Sequence, residues 1–181
     1  MIAAICMRFA YPSVSAEGKA CWLIQSAPIS YRDFLLVKVA VYAAPLTLLS
    51  LLLTAFANFI LGANAVVWTF TLAGALLLAV TLVSLGVGLG ALSPDFNAEN
   101  PLQVGLSLGG FGYMAVSLPY VAAVMVLMAR PVMRYFLRVV GVEQGAISAT
   151  IPIVIALTLS ALLSVISLLA AERRLTRFKS D

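Results

Sequence analysis

Four times between residues 39 and 171 the chain runs through more than twenty residues without one acidic or basic side chain. The runs cover residues 39–61, 65–92, 104–129 and 148–171. A helix needs roughly 20 apolar residues to cross about 30 Å of hydrocarbon. Each run is long enough, and none leaves a charged face for water. The expected fold class is therefore all-α: a polytopic membrane helical bundle of four transmembrane helices. The mean hydropathy of +1.09 and the 10% of charged residues agree with this, since a soluble domain carries about 25%. The expected division is a membrane domain over 39–181 and, ahead of it, a segment over 1–38.

The absences narrow the chemistry. The chain has no histidine, which removes Ser-His-Asp triads, Cys-His dyads and histidine zinc sites. Cys6 and Cys21 match no metal-ligand spacing and read as free thiols, as a reducing compartment favours. Asp95 and Glu99 are a close acidic pair, but they sit at loop spacing. No enzymatic activity, cofactor, metal or nucleic-acid partner is expected. No ionisable residue lies inside a run, whereas proton relays and charged-ion pathways use such groups. The phosphate loop G-x-x-x-x-G-K-[ST] is also missing. If the protein moves something, nucleotide is bound by another chain or another part of the same one.

The linkers set the topology. "GANA" is a tight turn, and "SPDFNAENP" has two acids and no base. Eight basic residues fall on the side that holds both ends and three on the other. Basic residues favour the cytoplasm, so both termini are expected there, in the plasma or inner membrane. Arg130, Arg134 and Arg138 recur every four residues and share one helical face. Pro131 suits a first helical turn. The expectation is a separate external interfacial helix with arginines reaching headgroups, acting either as a topological anchor or as a substrate contact. Thr47, Ser50, Thr54 and Asn58 line one face of the first run, and Ser160, Ser164 and Ser167 one face of the fourth. Gly86 with Gly90 and Gly105 with Gly109 form G-x-x-x-G pairs. Helix packing is the common role of such stripes; a translocation surface is the other.

The segment over 1–38 is charged and broken by proline. "MIAAICMRFA" is apolar only to Met7, too short for a signal-peptide core, and reads as the end of a helix whose beginning is missing. Ser13 or Ser15 can cap a short helix with Glu17 in its first turn. That helix carries Trp22 and ends before Pro28. Ser30, with Asp33 three residues on, restarts the chain as a variant capping box leading through Lys38 into the first run. A short helix rigidly joined to a membrane helix can transmit force from a soluble partner. Trp22 serves either as an anchor for that partner or as a membrane-interface residue.

"SAEGKACWLIQSAPISYRDFLLVK" resembles the type-two ATP-binding-cassette permeases, and more fully a family of ABC exporters. The residues that carry the likeness are Pro12, Ser15, Glu17, Gly18, Lys19 and Trp22, then Ser26, Pro28, Ser30 and Lys38. A second block, "GLGALSPDFNAENPLQVGLSLGG", matches at Gly88, Gly90, Pro94, Asp95, Phe96, Glu99, Asn100, Pro101, Gly109 and Gly110. The resemblance implies the C-terminal portion of an exporter's membrane subunit, with the four runs as the third to sixth spans of six. It implies a cytoplasmic coupling helix that touches a separate ATPase through Glu17, Gly18, Trp22, Pro28 and Lys38. Its other partners would be the bilayer and a second permease half or a second copy of the chain. The alternative is a non-transporting membrane anchor or regulator that recruits a soluble partner through the same segment.

Overall fold

The structure, a computed structural model, describes residues 1–20, 30–94, 104–105, 107–140 and 150–178. Trp22, Pro28, Asp95 and Glu99 lie outside them. The element order is α1 (Ile2–Phe9), two 3₁₀ turns (Tyr11–Ser13 and Ser15–Ala20), α2 (Tyr31–Ile60), α3 (Ala65–Leu92), α4 (Leu108–Val139) and α5 (Thr150–Phe178). The four long helices are each long and apolar enough to cross a membrane. The protein is an all-α bundle and a multi-pass membrane protein.

α2 starts where its cap predicts. Ser30 is extended, its Oγ accepts from the Asp33 N–H at 3.1 Å, and its hydroxyl donates to the Asp33 carboxylate at 2.7 Å. The first apolar run therefore gains two charged turns ahead of it, carrying Arg32, Asp33 and Lys38. α2 stops in a Schellman motif: the Ala63 N–H bonds to the Asn58 carbonyl and the Gly62 N–H to that of Phe59. Gly62 has φ +59°, a left-handed conformation that costs glycine little, and the chain reverses at once into α3.

α3 is the axis of the bundle. It packs against α2, α4, α5 and the N-terminal segment, and more than half of its membrane-length stretch is buried, against less than a third for the other three. Its small residues allow this. Gly88 brings α3 against the backbone of Ser167 on α5, a close approach in the manner of small-residue membrane interfaces. The polar stripes are seams. Ser50 of α2 donates to the Ala75 carbonyl at 3.3 Å, and Asn58 donates to the Thr71 hydroxyl at 2.7 Å. On α5, Ser160 lies 2.8 Å from the Tyr120 hydroxyl of α4, and Ser167 donates to the Ser84 carbonyl at 3.4 Å.

The arginine segment is helical, but it is joined to the third span. α4 runs unbroken through Pro119 and Pro131 to Val139. A proline inside a membrane helix is tolerated because neighbouring groups re-satisfy the freed carbonyl, so Pro131 opens no new helix here. Asn64 of the α2–α3 turn donates to the Tyr135 hydroxyl at 2.6 Å, which brings the end of α4 level with that turn. Arg130 lies about 7.5 Å inside this level at 1.5 Å per residue. It is exposed, as is Arg138, while Arg134 is half-buried. The three arginines therefore stand on the last turns of α4 itself, not on a separate interfacial helix.

The N-terminal segment is the least expected part of the core. Cys6, Ala10, Tyr11 and Ser13 are almost wholly buried. The two G-x-x-x-G pairs face this segment rather than another span. A Cβ added at Gly86 would lie 3.1 Å from the Ala10 Cβ, and one at Gly105 would lie 3.4 Å from the Met7 carbonyl oxygen. A Cβ at Gly90 would overlap the Tyr11 carbonyl, and one at Gly109 the Tyr11 hydroxyl and Ser93 Oγ. Cys6 is a free, buried thiol. It serves packing, shielded from the exposure that a reactive thiol needs. Gly90→Ala should lower stability in detergent by about 1–3 kcal/mol through overpacking. Gly112, with nothing within 4 Å of an added Cβ, should accept alanine with no loss, because alanine is the better helix former by about 1 kcal/mol. Equal effects in thermal unfolding would contradict the groove.

Candidate functional site

Lys38 stands in the second turn of α2, and its side chain is 13% exposed. Helical side chains lean toward the N-terminus of their helix, which carries this ammonium back over the segment that precedes α2. There it donates to the Ser13 carbonyl at 2.6 Å and to the Glu17 carboxylate at 2.5 Å. Phe34, one turn earlier, places its ring centroid 5.3 Å from the same nitrogen, within cation–π range. Hydrogen bonds to a charged group contribute about 1.5–3 kcal/mol where water is excluded. The Ser13 bond approaches that range, and the Glu17 bond falls below it because Glu17 remains 35% exposed.

The other end of the segment is held by shape. Tyr11 lies against Gly90, its hydroxyl is 3.0 Å from Ser93 Oγ at the end of α3, and it passes beside Gly109 at the start of α4. Its ring lies 6.1 Å from that of Tyr113, whose hydroxyl is 3.4 Å from the carbonyls of Ala3 and Leu82. Ser13 Oγ donates to the Ala10 carbonyl at 2.6 Å, which tightens the bend between α1 and the second 3₁₀ turn. Residues 10–17 thus form a clasp that touches α2 through a charge and α3 and α4 through glycine-lined close contact. Packed interiors have little slack, so a displacement of the clasp is shared by three spans.

Of the expected partner-contact residues, the structure brings Glu17 and Lys38 together, and each satisfies the other within the chain. Gly18 follows Glu17 in the second 3₁₀ turn. Trp22 and Pro28 fall outside the described residues. The four packing glycines gather around the same segment, while Arg130, Arg134 and Arg138 lie at the opposite end of the bundle. Tyr11 and Ser93 were not singled out in the sequence, and Ser13 was read only as a helix cap, not as the carbonyl that takes Lys38. The one signal for Tyr11 was indirect: four glycines spaced for close approach with no partner helix assigned. The start of α2 and the end of α5 share one end, where Arg32, Leu35 and Leu36 face Val165, Leu168 and Glu172 across a small cleft. Among the described residues no cluster of three or more His, Cys, Asp or Glu could hold a metal.

Comparison with curated proteins and with solved structures returned no match. A family model described as "Putative ATP-binding cassette" matches residues 1–180. That is nearly the whole chain, and the chain belongs to that family.

Proposed function

We propose that the chain is the membrane-spanning portion of an ABC exporter's permease subunit, driven by ATP hydrolysis on a partner ATPase. The observation that carries this reading is the clasp: the segment that would meet a soluble partner is fixed by Lys38 to α2 and by Tyr11 to the α3–α4 seam. The family is described by an ATP-binding cassette, yet this chain has no phosphate loop and carries four membrane-length helices. A division of labour accommodates both facts: nucleotide on one polypeptide or domain, passage on this one. Glu17 and Gly18, with Trp22 and Pro28 beyond them, form the partner-facing end in this reading. Lys38 then acts behind that surface, as the tie between it and the bilayer.

The same reading places the clasp and the end of α5 in the cytoplasm, on the side with eight bases against three. Single-cysteine labelling of intact cells checks this: Ala63→Cys should react from outside and Ser180→Cys should not. The reverse pattern would reject the topology.

Coupling is tested with the ATPase that co-purifies from native membranes. Trp22→Ala should leave insertion intact and weaken ATPase recovery about tenfold, a loss of about 1.4 kcal/mol. Lys38→Met should leave ATPase recovery within about twofold while reducing permease-stimulated hydrolysis about tenfold, because it cuts the tie and leaves the docking face. Full stimulation in Lys38→Met would reject the clasp as the coupling element. No ATPase in either preparation would favour the anchor or regulator.

A further inference from the structure

α2 leaves the clasp end of the bundle and α5 arrives at it, so the first turns of one lie beside the last turns of the other. Both pack chiefly on α3 and touch each other only lightly. Between them is a cleft of about 170 Å³. Leu35 and Leu36 of α2 form one wall and Leu168 and Leu169 of α5 the other, with Arg32 and Glu172 at the rim. The spacing puts each charge on the face of its own wall: Leu36 is one helical turn after Arg32, and Leu168 one turn before Glu172. Leu35 is 2% exposed, whereas Leu36 and Leu169 are 47% and 46% exposed, so the floor is packed and the mouth is not.

The two charges are poorly served where they stand. Arg32 lies in the first turn of α2, where the helix dipole favours an acid. Its neighbour Asp33 is engaged by Ser30, which caps the helix. Glu172 is half-buried. The bases that follow it, Arg173 and Arg174, are at adjacent positions, where helical side chains do not face each other. Opposite charges thus line one cleft, yet among the described residues no ion pair joins them. The Glu17–Lys38 pair at the same end is closed at 2.5 Å. Lys38 is less than two turns beyond Arg32 on α2, so the clasp grips the same stretch of helix that forms the cleft wall.

We propose that Arg32 and Glu172 form a latch between α2 and α5, open in this structure and closed when the walls of the cleft come together. Closure puts the guanidinium on the carboxylate, a pairing that two parallel N–H···O bonds favour, and brings the leucines into contact. An ion pair at an exposed rim is weak, so the latch forms and breaks readily. Both groups belong to the walls, and their contact needs no outside occupant. The contacts that hold the clasp reach α2, α3 and α4, and the latch carries its position on to α5. Only the use of the latch in coupling rests on the exporter reading.

The test uses the full chain in nanodiscs, carrying Arg32→Lys and treated with a water-soluble carbodiimide, which joins an amine to a carboxylate only where they touch. Products are mapped by peptide mass spectrometry. The Glu17–Lys38 amide is the internal standard, because those atoms are 2.5 Å apart. An amide between position 32 and Glu172 is expected at about a tenth of the standard, as for a minor state in exchange with the open one. None is expected in Arg8→Lys, where the exposed side chain stands outside the cleft. Leu36→Trp props the walls apart and should lower the product about tenfold with the standard unchanged. Leu168→Trp does so from the other wall and decides the matter if Leu36→Trp does not insert. No amide to Glu172 beside a normal standard, or an equal yield from Arg8→Lys, would overturn the latch. An amide that survives both tryptophans would mean that side chains swing across a fixed cleft, and would overturn it as well. The ATPase takes no part, so failure here leaves the exporter reading standing.

Discussion

The contact on which the rest of the structure depends is the approach of the Tyr11 backbone to Gly90 of α3. No side chain fits between them, so an irregular, polar stretch of main chain can lie against a membrane helix. Unpaired backbone is costly where water is excluded. Much of this stretch is satisfied within the protein: the Ser13 carbonyl takes the Lys38 ammonium, the Ala10 N–H bonds to the Cys6 carbonyl, and the Ala10 carbonyl accepts from Ser13. Glycines at 86, 90, 105 and 109 make the room, and Lys38 supplies the charge that holds the far side.

This arrangement ties three helices to one short segment. α2 follows through Lys38, α3 through Gly86, Gly90 and Ser93, and α4 through Gly109 and the Tyr11–Tyr113 ring contact. The serine seams then lock α5 to α3 and α4. The opposite end of the bundle is organised differently. There a tight Gly62 turn and the Asn64–Tyr135 bond join the α2–α3 turn to the end of α4 that carries the arginines, and a cleft opens between α2 and α4.

The spans could be read in the sequence because hydrocarbon imposes a length and excludes charge, and both constraints are local. The start of α2 could be read because Ser30 and Asp33 are three residues apart and cap without outside help. The continuity of α4 could not, because proline is a strong stop signal in water and a weak one inside a membrane helix, and only the neighbours decide which applies at Pro131. The partner of the G-x-x-x-G pairs was hidden for a related reason: spacing reports that something approaches closely, not whether it is a helix or a bend. Glu17 and Lys38 each looked like a contact for another protein. Their pairing spans 21 positions, and no periodicity links residues so far apart. Tyr11 and Ser93 are 82 positions apart and carried no pattern of their own.

A disulfide tests directly whether the N-terminal segment is seated in the glycine groove. With Cys6→Ala and Cys21→Ala as background, Ala10→Cys and Gly86→Cys would place two Cβ atoms 3.1 Å apart, close to the roughly 3.5–4.5 Å that a disulfide spans. Mild oxidation of membranes should link this pair and leave Ala10→Cys with Gly112→Cys unlinked. Absence of the first link, or equal linking of both pairs, would contradict the clasp.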